Sequence, residues 1–502
     1  MTKSDHMKNN ILLLSFLLIT SLTYAQNYDL NSYNYRYQKY KGLTFDFNLN
    51  SNGNQSFNSI QDTLFKDSTF LNRGNTNSMF AINPSYFSHT NTEELNQTIT
   101  TGLRNSFEFA NSSQRGSNMD RNKSFNSSNS FGFNYSNSKR VYNGDKFKYR
   151  YLHNNTGANT SDYRYKLQDT ISRSSRQRFY FTDITIKTGF GKGRLNYVTD
   201  AVLASFILQD LTKHTGQQFS NEQIEQVARG ITLIKNQRYL DRRLRYIEQI
   251  RLLDSVLQKS NVKIDNKLIY FSVLSDNWLY TNNQNRSSGK MWTHLISANS
   301  NTSFEKIRRD YGQFNTIRYY NFKEFIQKYN IELESNFSKS EQKSLHVQQI
   351  FGGFISSGIV YNSEQRFGQF DYENEDITFE DLNNYDFTSW DTKIGGSCGY
   401  LYQPNSRNVF RATLYSQIAY SKVLEGTPST SLLYTNRHVL SPSFTINTHY
   451  YHWFSPNLNL TITGSGGTLT SLENRSNEFN LVKDQNTSMV YNITAGLVYQ
   501  LF

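Results

Sequence analysis

A two-residue alternation of apolar and polar side chains recurs along almost the whole chain. Leu43, Phe45, Phe47 and Leu49 alternate with Thr44, Asp46 and Asn48. Phe131, Phe133 and Tyr135 alternate with Gly132 and Asn134, and Ile331, Leu333 and Phe337 stand among Glu332, Glu334 and Asn336. Near the end, Tyr491, Ile493, Ala495, Leu497, Tyr499 and Leu501 share one parity. A period of two means a strand with one apolar and one polar face. Such strands build either a soluble sandwich or a rolled sheet. Composition separates the two. Apolar residues, tyrosine included, are 36% of 502, yet the chain carries 35 Tyr, 36 Phe and 4 Trp. Few aliphatic residues are left for a large internal core, and so many aromatics do not fit a disordered chain. A transmembrane β-barrel reverses the arrangement, with the apolar face toward lipid and the polar face inward. Five Pro and one Cys leave no room for a Pro-rich linker or a disulfide scaffold.

The fold class predicted is therefore all-β: an antiparallel transmembrane β-barrel of about 14 strands, within a range of 12 to 16. The first strand falls near 41–50 and the last near 486–502; Pro84 is an awkward residue in the second. Connections alternate in length. Those at 89–95, 137–145, 338–342, 403–407 and 454–457 are short. Those at 51–77, 111–122, 156–174, 301–324, 362–389, 422–437 and 471–485 are longer. Short periplasmic turns and long extracellular loops are the asymmetry of outer-membrane barrels.

Residues 1–25 read as an export signal. Lys3 and Lys8 form a basic start, Ile11 to Thr20 is apolar, and Thr23-Tyr24-Ala25 precedes the cleavage point. The apolar run falls short of the ~20 residues of a spanning helix. Barrel segments then occupy 26–190 and 290–502.

Residues 191–289 break the alternation. Ser220-Asn221-Glu222-Gln223 is a capping box, and Ile224, Val227, Ala228, Ile231 and Ile234 follow at helical spacing. Further helices are predicted over 200–211, 241–257 and 267–278. The insertion falls on the periplasmic side, as a plug, a cap or a docking surface. Arg242, Arg243, Arg245 and Arg251 make its third helix basic and are the docking candidates for a periplasmic protein partner.

Trp292, Trp390 and Trp453 fall at predicted strand ends, where an interfacial aromatic girdle belongs. The chain closes on an alternating strand with Tyr499 and Phe502, which resembles the C-terminal assembly signal of Gram-negative outer-membrane barrels. Phe502 lies out of phase with the apolar parity that ends at Leu501. The segment Gly191-Lys192-Gly193-Arg194-Leu195, followed by Asp200-Ala201 and helices, resembles an insertion in barrel proteins of the Bacteroidota. The resemblance implies an outer-membrane location after signal-peptide export. It also implies outer-membrane lipid and the barrel assembly machinery as partners, and it names no activity.

Motifs for chemistry are few. Gly395-Gly396-Ser397-Cys398-Gly399 matches G-x-S-x-G, but it lies in a predicted strand and lacks the strand-to-helix turn of a nucleophile elbow. His449 and His452 point to opposite faces of a strand. Asp371, Glu373, Glu375 and Asp376 form an acidic loop, a weak Ca²⁺ candidate because Asp376 stands where an EF-hand loop needs Gly. No catalytic residue, cofactor or other metal site is predicted, and nucleic acid is not expected as a partner. By parity Lys148 and Arg150, and Glu332 and Glu334, are candidates for the lumen. The net charge of +12 suits anionic headgroups or an anion-favouring lumen. The function read from these features is a porin-like channel or transporter for small polar solutes; the alternative is a membrane-anchored scaffold that docks a periplasmic partner.

Overall fold

The computed structural model describes residues 28–499 apart from 62–67, 117–118, 145–146, 169–172, 238–241, 263, 281–284, 311–316, 373–374, 427–435, 456–457 and 477–480. Six strands come first: β1 Gln38–Gln61, β2 Ser68–Asn91, β3 Leu95–Gly116, β4 Met119–Asn143, β5 Lys148–Gln168 and β6 Arg173–Tyr197. Four helices follow: α1 Thr199–Thr215, α2 Asn221–Asn236, α3 Arg242–Lys259 and α4 Lys267–Tyr280. Eight strands complete the chain: β7 Ser287–Asp310, β8 Ile317–Gln342, β9 Val347–Tyr372, β10 Glu375–Asn405, β11 Asn408–Gly426, β12 Asn436–Ser455, β13 Leu458–Ser476 and β14 Leu481–Tyr499. All fourteen form one sheet in sequence order, so each strand pairs with its chain neighbours. This is the antiparallel all-β class that the alternation dictates. No described helix is long and apolar enough to cross a membrane.

The strands are longer than the sequence suggests. Segments expected as loops continue the ladder: Gln61 pairs with Ser68, and Tyr372 with Glu375. The stretches 51–61 and 68–77 are rich in Asn, Ser and Thr on both parities. A hairpin extending into water needs no apolar face, so apolar alternation cannot mark its end. Pro84 stays in register with Phe45 of β1, but the ladder from β2 to β3 skips from Ile82 to Ser85. Pro442 does the same between β12 and β13, where pairing jumps from Leu440 to Ser443. A residue without an N–H keeps one neighbour and loses the other.

The helices build their own core. Ser220 caps α2 by accepting from the Gln223 N–H at 3.3 Å, and the Gln223 side chain accepts from the Ser220 N–H at 2.9 Å. Gly216 ends α1 in the left-handed region at φ 72, a conformation that costs glycine nothing. Helix α1 is covered on every side in its first half, with Ala201 through Leu208 all buried and Leu211 after them. It is therefore the centre of the bundle. Leu30 and Tyr33, from the segment before β1, join this core, and Tyr33 Oη meets Thr232 Oγ1 at 3.4 Å.

The bundle sits across the short-turn end of the sheet. Asn236 at the end of α2 accepts from the Lys39 N–H at 2.9 Å, at the start of β1. Tyr280 at the end of α4 packs against Trp453 near the end of β12, ring centroids 6.4 Å apart. On a flat sheet, eleven strand spacings of ~4.8 Å would separate β1 and β12 by ~50 Å. Helices of 14 to 18 residues are only ~21–27 Å long. One small bundle touches both strands because the sheet is rolled. Strands β1 and β14 remain its two edges.

Candidate functional site

The roll gives the sheet two unlike faces. One carries Phe190, Ile296, Ile331, Leu333, Ile355 and Ile394, each half exposed or more. The register lines them up across strands: Phe190 with His294, Ile331 with Ile359, and Ile359 with Trp390. The opposite parity holds Thr293, Leu295, Ser297 and Ser356, all buried, with charged residues among them. Exposed isoleucine and buried serine invert the usual soluble arrangement.

The polar face places two of the four lumen candidates. Glu334 accepts a short bond from the Lys187 ammonium at 2.5 Å, and Glu332 lies two residues along the same parity. Lys148 and Arg150 require a correction. Both are exposed and share parity with Leu152 on the apolar face. It is Tyr149 that turns inward: it is buried, and its Oη meets Thr293 Oγ1 at 2.5 Å and donates to the Trp292 carbonyl at 2.9 Å. Its ring lies over Gly191, where any Cβ would collide with it. Tyr149 packs on Tyr142 and Tyr151 lies under the Arg140 guanidinium, both turned to the polar face, so aromatic parity misreads the face. A cavity of about 380 Å³ opens here, lined by Arg140, Tyr151, Thr293, Asn336, Phe354 and Ser397 of six strands.

The helices and the segment before β1 together meet four of the turns at this end of the sheet. Arg36 pairs with Glu93 in the β2–β3 turn and stands 4.8 Å over the Phe147 ring in the β4–β5 turn. Phe206 of α1 packs on His346 in the β8–β9 turn, centroids 5.6 Å apart. Asp276 of α4 pairs with Arg407 in the β10–β11 turn at 2.7 Å. Fully buried Arg286, just before β7, donates to Gln342 Oε1 at 3.0 and 2.5 Å and to the Leu345 carbonyl at 2.6 Å. Burial lowers the Arg286 guanidinium to about 9. Arg194 closes the other side, donating to Asn91 Oδ1 at 2.6 Å and the Glu93 carbonyl at 2.8 Å. A lone arginine in a connection has no periodicity to announce it, so Arg286 escapes sequence reasoning, while Arg194, within β6, stands out only as part of the Gly191–Leu195 segment.

The tryptophans divide. Trp292 lies on the apolar face against Phe337, centroids 4.4 Å apart, near the turn end. Trp390 is on the same face but in the row of Ile359 and Ile331, with apolar rows on both sides of it. Its Nε1 donates to Ser357 Oγ at 2.6 Å. Trp453 corrects the girdle expectation: it packs inward on Tyr280 and Tyr451, between helix and strand.

Of the docking candidates, Arg245 is exposed and Arg251 donates to Glu248 at 2.7 Å. Arg242 and Arg243 begin α3, with side chains outside the described residues. Asp371 ends β9, while Glu375 and Asp376 begin β10, so the acidic stretch is a paired hairpin and not an open loop. Glu373 and the side chains of the other three lie outside the described residues, as do Phe502 and the Tyr499 side chain. No cluster of metal-binding side chains occurs among the described residues. Ser397 of the G-x-S-x-G match lies within β10, paired on both sides.

No protein-family model and no curated protein matches the chain. Solved structures do, two outer-membrane proteins among them. The translocator domain of autotransporter NalP from Neisseria meningitidis is 7% identical, covering 82% of this chain and 90% of that one, with a TM-score of 0.22. A bacterial polysaccharide outer membrane secretin is 7% identical, covering 84% and 98%, with a TM-score of 0.17. Such scores carry no argument about function.

Proposed function

We propose that the chain is an outer-membrane β-barrel that passes small polar solutes, with the helical bundle as the plug of its periplasmic mouth. The observation that carries this reading is the pairing of a polar, charge-lined face with a bundle docked on the short turns at one end. The height of the apolar face supports the membrane setting. From Trp292 to Phe304 on β7, the face runs twelve residues, with His294, Ser300 and Thr302 among its apolar side chains. That is roughly 40 Å along the strand, or roughly 30 Å across a membrane at a ~40° tilt. On this reading β1 and β14 pair to close the barrel, the assembly machinery inserts it, and the short turns face the periplasm.

Single-channel conductance in planar bilayers tests it, with the intact protein beside a variant lacking 196–285. A quiet intact protein and a conducting deletion variant are expected. Silence from both, with folding retained by heat-modifiable gel mobility, overturns the solute-passage reading. The second reading, a membrane-anchored platform, is favoured by the same joints, since Arg286 and Arg407 tie the bundle down at several turns. It predicts that silence, and a periplasmic protein retained by the bundle.

A further inference from the structure

We infer that the apolar face carries, at its loop end, a binding site for the phosphorylated headgroup of a lipid in the adjoining leaflet. The inference rests on the membrane reading above. The register supplies the site. At the loop end, Thr160, Tyr180, Phe304 and Phe325 stand side by side on β5 to β8. This aromatic row lies one step outward of the polar row Thr182, Thr302 and Gln327, and its Tyr180 and Phe304 touch with centroids 6.0 Å apart. The next row outward reads Asp162, Arg178, Lys306 and Lys323. The row beyond reads Arg164, Arg176 and Arg308.

These two rows thus hold six cations and one carboxylate, Asp162, on four neighbouring strands. Asp162 cannot neutralise them. It takes Arg176 at 2.5 Å and Arg164 at 3.2 Å, with Arg178 at 4.0 Å. Lys306 and Lys323 form no ion pair among the described residues. The nearby Glu305 and Glu324 have the other parity and point away. Cations crowded on adjacent strands repel one another unless an anion bridges them. In water, screening over ~10 Å would suffice. This patch sits instead directly above an aromatic row, where headgroups begin. Guanidinium groups match phosphate oxygens in pairs, and ammonium groups add point charge. A headgroup phosphate satisfies both the charge and the level.

Native mass spectrometry of the full chain in neutral detergent tests this with phosphatidic acid as the probe and phosphatidylcholine as the reference. The wild type should retain phosphatidic acid preferentially. The Arg176→Gln/Arg178→Gln/Lys306→Gln variant should retain about tenfold less. A control of equal charge loss on the bundle, Lys213→Gln/Lys259→Gln/Lys267→Gln, should behave as wild type. Equal retention by the patch variant, or equal loss in the control, overturns the proposal. Displacement of the lipid by inorganic phosphate overturns the lipid source and leaves a free-phosphate site. Heat-modifiable mobility and membrane extraction are measured alongside. A wild type that fails to enter vesicles defeats the membrane reading, whereas one that inserts without lipid preference defeats this proposal alone.

Discussion

Two nitrogens of Arg286 converge on a single oxygen, Gln342 Oε1, at 3.0 and 2.5 Å inside a joint closed to water. The pair ties the return from the bundle to the β8–β9 turn, and the Leu345 carbonyl takes a third bond. Arg286→Met keeps the bulk and removes the donors. It strands Gln342 Oε1 and a carbonyl in a buried site, a loss of about 2–4 kcal/mol. Arg286→Lys should fall between, because an ammonium lacks the planar fork. Limited proteolysis of the connection before β7 should speed up in the order wild type, Lys, Met, while heat-modifiable mobility stays unchanged. Equal rates would show that the joint does not hold the bundle.

The same turn should make docking pH-dependent. His346 Nδ1 lies 2.9 Å from the Gln403 carbonyl, beneath the Phe206 ring, and Arg286, Lys213 and Asp210 are the charges that act on it. Burial lowers its pKa below the ordinary 6.5, with the two cations adding to the effect. The folded state therefore binds fewer protons than the unfolded one near and below that value. Its contribution is complete above about 6.5 and is lost as pH falls through the lowered folded value. Protease release of the bundle should rise from pH 7.5 to pH 5, and His346→Gln should flatten that rise.

Inside the bundle, Asp200 is buried in the first turn of α1, accepts from Thr232 Oγ1 at 2.6 Å and pairs with Lys235 of α2. Asp200→Ala leaves the Lys235 ammonium, itself mostly covered, without a partner. Removing one member of such a pair costs about 3–5 kcal/mol. Thermal unfolding followed by circular dichroism should show the helical signal lost at lower temperature, with the strand signal unmoved. A Tm equal to wild type would mean that water already reaches Lys235.

What the sequence reveals and what it hides divide along physical lines. The alternation of Ile331 and Leu333 with Glu332 and Glu334 separates an apolar from a polar face, so strand type and number are legible. The capping box at Ser220 is legible too, since its two bonds are local. Strand ends past Asn50 are hidden, because both faces there are polar. Lys148 and Arg150 are misread because Tyr149 and Tyr151 turn to the polar face, and an aromatic side chain suits either apolar surroundings or a packed joint. The basic rows around Arg176 and Lys306 are invisible in sequence: 128 residues and four helices separate β6 from β7 at that register.

Trp390 offers the most direct test of the membrane setting. It occupies the row of Ile359 and Ile331, with Leu333 and Ile355 on one side and Tyr329 and Tyr361 on the other. In a membrane, an indole N–H there would have no water to bond. Ser357 Oγ, across on β9, accepts it at 2.6 Å and satisfies it within the protein. Trp292, by contrast, lies near the turn end beside Phe337. Variants that keep one tryptophan each, reconstituted with brominated lipids, separate the two levels. Bromines deep in the acyl chains should quench Trp390 more than Trp292, and bromines close to the headgroup should reverse the order. Ser357→Ala should leave the ring in place and cost about 1–3 kcal/mol through the unpaired N–H. Weak and equal quenching of both rings would place this face in water, and the outward isoleucines would then need a protein partner instead of lipid.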